Sequence, residues 1–328
     1  MNVFFECTYQ GERHFGLGLP ADGETVRLHP VHPGEDLGAT VVAAVSAAGG
    51  DSHALRAALT AGRPEVLVPA AGREGLVPRP PLLPVSAGDA MVSGFMQTHN
   101  VKVDAVTQSQ PNWFVKGLGE VLKVSGEPLS VPPGAVALCE EAEVVLVYVT
   151  DEHGSPRYAG YTFGNDLTDI GRFRRHAGHL SYAKLCDAGV TPWLFLDEPP
   201  RSVTGRVTIE RDGARVWEGE FTTGTKALHF GLEDMMSGLF SHGALLHPGR
   251  VHYVYLGADR SSFHGGFTMA DRDRVTLDFD SHGVSLSNTV SWPGAPDTHT
   301  THTTHTTHAT RAAQTTETAR PVTAGATG

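Results

Sequence analysis

The stretch Cys139-Glu140-Glu141-Ala142-Glu143-Val144-Val145-Leu146-Val147-Tyr148-Val149 carries three carboxylates straight into an unbroken β-branched and aromatic run. Such a run favours a strand entering a core. Side chains two apart on a strand share a face, so Glu141 and Glu143 project together. Two like charges at that spacing repel. The strand can tolerate them where its end opens to solvent, or where a cation sits between them and compensates the charge. About twenty residues on, Gly160-Tyr-Thr-Phe-Gly-Asn-Asp166-Leu-Thr-Asp169 supplies a further carboxylate among turn-forming residues. Asp166 could complete an all-oxygen site suited to Mg²⁺ or Mn²⁺, hard ions that accept a few carboxylates and keep positions for water or substrate.

Around this stretch the pattern from about residue 89 to 292 is mostly strands. Val207-Thr-Ile-Glu210, then Asp212-Gly213, then Arg215-Val-Trp217 reads as a hairpin, and further strands are expected at Val251–Leu256 and Val275–Phe279. Leu232, Met235, Met236, Leu239 and Phe240 recur at helical spacing and predict one amphipathic helix that buries them in the core. Residues 1 to about 68 show short strand-like pieces and a helix that Asp51-Ser52 can cap. Val68–Gly88 holds Pro69, Pro78, Pro80, Pro81 and Pro84 and reads as an extended connector. The expected domains are therefore 1–85, small and N-terminal with its connector, and 86–292. The class is α+β, mainly β. From 293 to 328 the chain turns to His, Thr and Ala with almost no large apolar residue, and a disordered tail is expected. Its His299, His302, His305 and His308 could chelate a divalent metal weakly, or be a solvated low-complexity run.

A chain of 328 residues can bury a sizeable core, and a net charge of −11 without a long basic run argues against a nucleic-acid partner. Cys7, Cys139 and Cys186 are an odd number without metal-site spacing and read as reduced, buried thiols. The N-terminus shows no basic region followed by a long apolar stretch, and Gly38–Gly50 is well short of the ~20 residues of a membrane span. A cytoplasmic protein without membrane contact is expected.

Glu141-x-Glu143, Gly160-Tyr161-Thr162-x-x-Asn165-Asp166 and Lys184 in Ser181-Tyr-Ala-Lys-Leu resemble the fumarylacetoacetate hydrolase superfamily. The downstream order agrees: Thr223-Gly224-Thr225, the helix ending Leu239-Phe240-Ser241, Leu246-His-Pro248-Gly249, Gly257, and Gly283 to Val290. Pro111-Asn-Trp113-Phe114-Val-Lys116-Gly117 and Leu256-Gly257 followed by Ser262-Phe263 look most like the branch of 2-keto-3-deoxy-L-arabonate dehydratase-like enzymes. The resemblance covers roughly residues 90 to 292. It implies a mixed β-roll catalytic domain, usually a homodimer, that holds Mg²⁺ or Mn²⁺ through Glu141, Glu143 and Asp166. It further implies a 2-oxo acid substrate and an enolate intermediate stabilised by the metal. That intermediate serves dehydration, C–C hydrolysis, decarboxylation or tautomerisation alike; a metal-dependent lyase is expected, with dehydration ahead of C–C hydrolysis. Lys184, Lys116 and His99 are its expected catalytic residues, and Tyr161, Thr225 and Ser262 its expected substrate contacts.

Departures from the superfamily pattern fall on substrate-facing positions. Ala258 stands where a threonine commonly binds the substrate carboxylate, and Lys102 stands where a glutamate commonly partners His99, leaving Asp104 as the nearest acid. Gly224-Thr225-Lys226-Ala227 replaces a Gly-Glu-x-Asn pattern expected to contact a sugar-acid hydroxyl. Such a chain either acts on an altered substrate, as in a specialised biosynthetic pathway, or keeps the fold as a non-catalytic binding module.

Overall fold

The computed structural model describes residues 2–102 and 109–295. Asp104 and the tail histidines lie outside the described residues.

The acid-bearing segment is the strand Ala142–Thr150, central in a mixed sheet. That sheet runs Val66–Val68, Val26–Pro30, Glu12–Leu17, Val3–Tyr9, Trp193–Phe195, Pro156–Asn165, Ala142–Thr150, Val251–Tyr255, Ala90–Met96, Asn112–Leu118. Along that order neighbours pair antiparallel except Val251–Tyr255 with Ala90–Met96, which are parallel; off it, Ala188–Val190 pairs antiparallel with Pro156–Asn165 and parallel with Leu122–Lys123. The N-terminal strands thus belong to the same sheet as the acids, joined where Val3–Tyr9 pairs with Trp193–Phe195. A second sheet orders Ala214–Thr223, Val203–Arg211, Arg274–Phe279, Val284–Ser291 and Pro128–Ser130. The α+β, mainly β class is the one observed.

Both faces of Ala142–Thr150 are covered, as its continuous apolar run requires. Val144 and Leu146 join one core with Phe163, Phe195, Leu277 and Met235. Val145, Val147 and Val149 join another with Phe4, Val41, Tyr253 and Tyr255. The hairpin forms as read: Arg211 pairs with Ala214 across Asp212 and Gly213, both at positive φ (50° and 79°), the geometry a two-residue turn between twisted strands demands. Leu232–Phe240 is the expected helix and buries Met235, Met236 and Leu239. Ser52–Thr60 is capped by Asp51, whose side chain accepts from the His53 and Ala54 amides.

Three helices were not expected: Leu37–Ala48 and the short Ile170–Arg175 and Leu180–Ala183. Leu37–Ala48 lies in the Ala/Val/Gly stretch, whose β-branched residues and glycine blur any helical signal. Its markers are local: Asp36 accepts from the Ala39 amide at one end and Gly49 closes the other in the left-handed region. In the proline-rich stretch, Val77–Arg79 pairs with Val3–Tyr9 at Cys7↔Pro78, and Ala70–Gly75 forms 3₁₀ turns.

Candidate metal centre

Strand register assembles the site. Ala142–Thr150 pairs antiparallel with Pro156–Asn165, matching Val145 with Thr162 and Glu143 with Gly164. The pairing continues past the strand ends, where the Asp166 amide donates to the Glu141 carbonyl at 3.0 Å and Cys139 bridges Thr168. Asp166 therefore sits opposite Glu141, on the face that carries Glu143. Ligand oxygens of the three lie within 4.8 Å of one another. Glu143 and Asp166 are buried at 1% and 0% exposure, and Glu141 at 9% opens to a cavity. Of the two ways such a pair can be tolerated, solvent at the strand end is not the one realised here.

Two buried ammonium groups meet these acids. Lys184, at the end of the short helix Leu180–Ala183, donates to Glu141 Oε2 at 2.7 Å, Asp166 Oδ2 at 2.5 Å and Thr168 Oγ1 at 2.8 Å. Its Nζ also lies 4.6 Å from the centroid of the Phe114 ring. Burial works against its charge, but Asp166, Glu141 and Glu143 outweigh it and push the pKa up, so Lys184 stays protonated. Lys116 donates to Asp166 Oδ1 at 2.6 Å and to the Leu167 carbonyl at 2.8 Å. Burial would raise Asp166, yet the two lysines hold it below the usual carboxylate range.

Glu143 is the odd member. The Gly257 amide donates to its Oε2 at 2.6 Å, while its Oε1 is buried without a hydrogen-bond partner among the described residues. Burial first, then the charges of Asp166 and Glu141, push its pKa well above the usual carboxylate range. A divalent cation reverses both terms by supplying a partner and opposite charge. An all-oxygen donor set with an orphaned carboxylate oxygen fits a hard divalent cation.

Of the other expected residues, His99 lies closest to the acids in electrostatic terms. It is buried at 1% exposure between Thr98 Oγ1 (3.4 Å from Nδ1) and Thr223 Oγ1 (3.0 Å from Nε2). Because the Thr98 hydroxyl already donates to the Leu256 carbonyl, the network assigns the proton to Nδ1 and an acceptor lone pair to Nε2. Burial and nearby Lys102 push its pKa down to about 4, against an opposing pull from Glu141. His99 is therefore neutral near pH 7, with no carboxylate hydrogen-bonded to it among the described residues.

Ser262 is fully buried and adjoins the cavity wall; its hydroxyl donates to Glu140 Oε2 at 2.5 Å and its amide to Glu140 Oε1 at 2.6 Å. Glu140, which the spacing argument passed over, has its pKa raised by burial to about 7 and anchors this segment. Tyr161 projects from the other face of its strand, stacked on Phe195 at 5.0 Å in the core between the sheets. Thr225 lies in a 3₁₀ turn whose amide donates to the Pro200 carbonyl, and neither residue lines the cavity beside Glu141. The strand alternation that pairs Glu141 with Glu143 also separates Tyr161 from Asp166, a sign visible in the sequence.

No protein-family model and no curated protein matches this sequence. Solved structures do. A 2-keto-3-deoxy-D-arabinonate dehydratase solved with magnesium and 2,5-dioxopentanoate is 16% identical at a TM-score of 0.62, covering 88% of this chain and 98% of its own. A 2-hydroxyhepta-2,4-diene-1,7-dioate isomerase from Mycobacterium marinum is 17% identical at 0.57, covering 90% and 100%. A 5-carboxymethyl-2-hydroxymuconate delta-isomerase from Mycobacterium smegmatis is 16% identical at 0.56, covering 89% and 99%. The chain thus has the fold of the fumarylacetoacetate hydrolase superfamily, with the keto-deoxy sugar-acid dehydratases among its structural neighbours.

Proposed function

We propose that this chain is a divalent-metal-dependent lyase acting on a 2-oxo acid, with dehydration ahead of C–C hydrolysis. The observation that carries the reading is the buried cluster of Glu141, Glu143 and Asp166, clasped by Lys184 and Lys116. When bound, Mg²⁺ or Mn²⁺ supplies a Lewis acid that stabilises negative charge on the 2-oxo acid as its C3 proton departs. Lys184, kept protonated by its carboxylates, is a fixed positive donor beside that charge and does not serve as a base. Lys116 fixes the Asp166 carboxylate from the opposite oxygen. His99 offers a neutral Nε2, but a pKa of about 4 and the absence of a carboxylate partner among the described residues make it a poor activator of water. In dehydration the C3 proton would pass to the neutral His99 Nε2 and the 4-hydroxyl would leave with a proton as water, so that, unlike hydrolytic cleavage, no water has to be activated. The magnesium-bound dehydratase among the structural neighbours supports the same reading. Assembly as a homodimer belongs to it too, and sedimentation at twice the chain mass is the expected result; a monomer would remove that part.

Calorimetric titration of Mg²⁺ and Mn²⁺, with and without oxalate, tests the site directly, because oxalate mimics the planar enolate of pyruvate. Wild-type protein should bind oxalate only with metal, and Glu141→Ala should lose that binding. Metal-dependent deuterium exchange at C3 of simple 2-oxo acids, followed by NMR, should accompany it. Absence of both in the wild type would leave a non-catalytic binding protein.

A further inference from the structure

Loss of a 4-hydroxyl as water takes two proton movements, one away from C3 and one onto the departing oxygen. The second needs a donor in the cavity in front of Glu141, which holds about 360 Å³, within the ~300–1,000 Å³ span of small-molecule pockets. Among the described residues its charged or titratable lining side chains are Lys102, Glu141, Arg174 and His264. Glu141 is committed to the acid cluster and to Lys184. An arginine does not part with its proton in a protein, and an ammonium is a far weaker acid than an imidazolium. His264 is the remaining side chain able to give up a proton near neutral pH.

The ring is held in place from one end. Ser261 Oγ lies 2.9 Å from His264 Nδ1, while Nε2 has no hydrogen-bond partner among the described residues. In the imidazolium, Nδ1–H donates to Ser261 and Nε2–H is left to donate to a ligand. The turn itself is fixed: the His264 amide donates to the Ser261 carbonyl and the Phe267 amide to the Ser262 carbonyl, both at 3.1 Å, and Gly266 closes it at φ 81°. Glu140 clamps Ser262 through both amide and hydroxyl, so the turn is fastened one residue from Glu141. Arg174 covers it, 5.5 Å from the centroid of the Phe263 ring. Burial first, then Lys102 and Arg174, lower the pKa of His264 against an opposing pull from Glu141. Its imidazolium is thus a stronger acid than a free one, and the negative charge that a 2-oxo acid brings into the cavity offsets the two cations and favours the protonated form in the complex.

We infer that His264 is the general acid of the dehydration, donating its Nε2 proton to the departing 4-hydroxyl, with Ser261 as its positioning residue. The inference rests on the metal-dependent dehydration reading and adds a catalytic residue to it. The C3–H bond breaks and its proton passes to His99 Nε2. The electron pair left behind forms the C3–C4 double bond as the C4–O bond breaks, and the hydroxyl takes the His264 proton and leaves as water. Solvent then returns a proton to His264 and takes one from His99.

The test uses two acids that differ only in the leaving group, 4-hydroxy-2-oxopentanoate and 4-fluoro-2-oxopentanoate, because fluoride departs without a proton. Both give 2-oxopent-3-enoate, followed by its ultraviolet absorbance, on the full chain with Mg²⁺. His264→Gln should slow water loss by about a hundredfold or more and fluoride loss by less than about threefold. Ser261→Ala should slow water loss severalfold, again sparing fluoride loss. Equal slowing of the two eliminations in His264→Gln, or no slowing of either, would overturn the role of His264 and leave the metal reading intact. A wild type that binds oxalate with Mg²⁺ yet eliminates neither leaving group would overturn the dehydration and the role of His264 together, with the metal site standing. Failure of the wild type to bind oxalate would overturn all three.

Discussion

Glu143 and Lys184 sit in one cluster, yet their substitution should have opposite consequences for stability. Burial and two neighbouring carboxylates already disfavour the charged form of Glu143, so in EDTA the neutral, near-isosteric Glu143→Gln should be neutral or stabilising. Lys184→Met removes the donor to both Glu141 and Asp166 and leaves buried charge uncompensated, an expected loss of about 3–5 kcal/mol. Urea denaturation of the two variants in EDTA checks the contrast, and equal destabilisation would contradict it. Metal titration of the folded Glu143→Gln protein should show affinity reduced by at least tenfold, since the orphaned oxygen is gone.

At the scale of elements, the site depends on the register between Ala142–Thr150 and Pro156–Asn165. Gly164 faces Glu143 across that register, and a Cβ there would meet the Gly189 carbonyl oxygen at 2.6 Å and the Tyr255 ring at 2.6 Å. Gly164→Ala should therefore cost about 1–3 kcal/mol through overpacking and take metal affinity down with it. Gly213 is the comparison. It sits at φ 79° in the turn between Val203–Arg211 and Ala214–Thr223, with open space around its missing Cβ. Gly213→Ala should cost only about 1 kcal/mol, from backbone strain alone, and leave metal affinity unchanged. Thermal melts and metal calorimetry on both variants separate a fault in the register from a fault in a remote turn.

For the whole molecule, buried histidine sets part of the pH response. His252 is fully buried, with Nε2 at 3.0 Å from Thr150 Oγ1 and Nδ1 without a partner among the described residues, and burial followed by Arg250 lowers its pKa to about 4. The unfolded chain takes its proton near pH 6.5, so this contribution is complete above that pH and is lost as pH falls towards 4; it is at most about 3 kcal/mol. His252→Phe should reduce the difference in urea stability between pH 7 and pH 4.5, and an unchanged difference would reject the assignment. Among the described residues no helix is long and apolar enough to cross a membrane. Much of this architecture was legible in local sequence. The Val144–Val149 run, the Asp212-Gly213 turn and the Leu232–Phe240 spacing each specify an element through interactions within a few residues, which is why they read correctly. Leu37–Ala48 did not, because its helix depends on tertiary burial of Leu37, Val41 and Ala44 more than on propensity. The Glu141-x-Glu143 pair was legible as a shared face. That Asp166 lies opposite Glu141, that Lys116 binds an acid's outer oxygen, that Tyr161 turns to the other face's core and that Arg174 reaches the cavity wall were decided only by strand register and packing. Those relations join residues far apart in the chain, and local chemistry does not encode which of many possible partners the folded sheet will bring together.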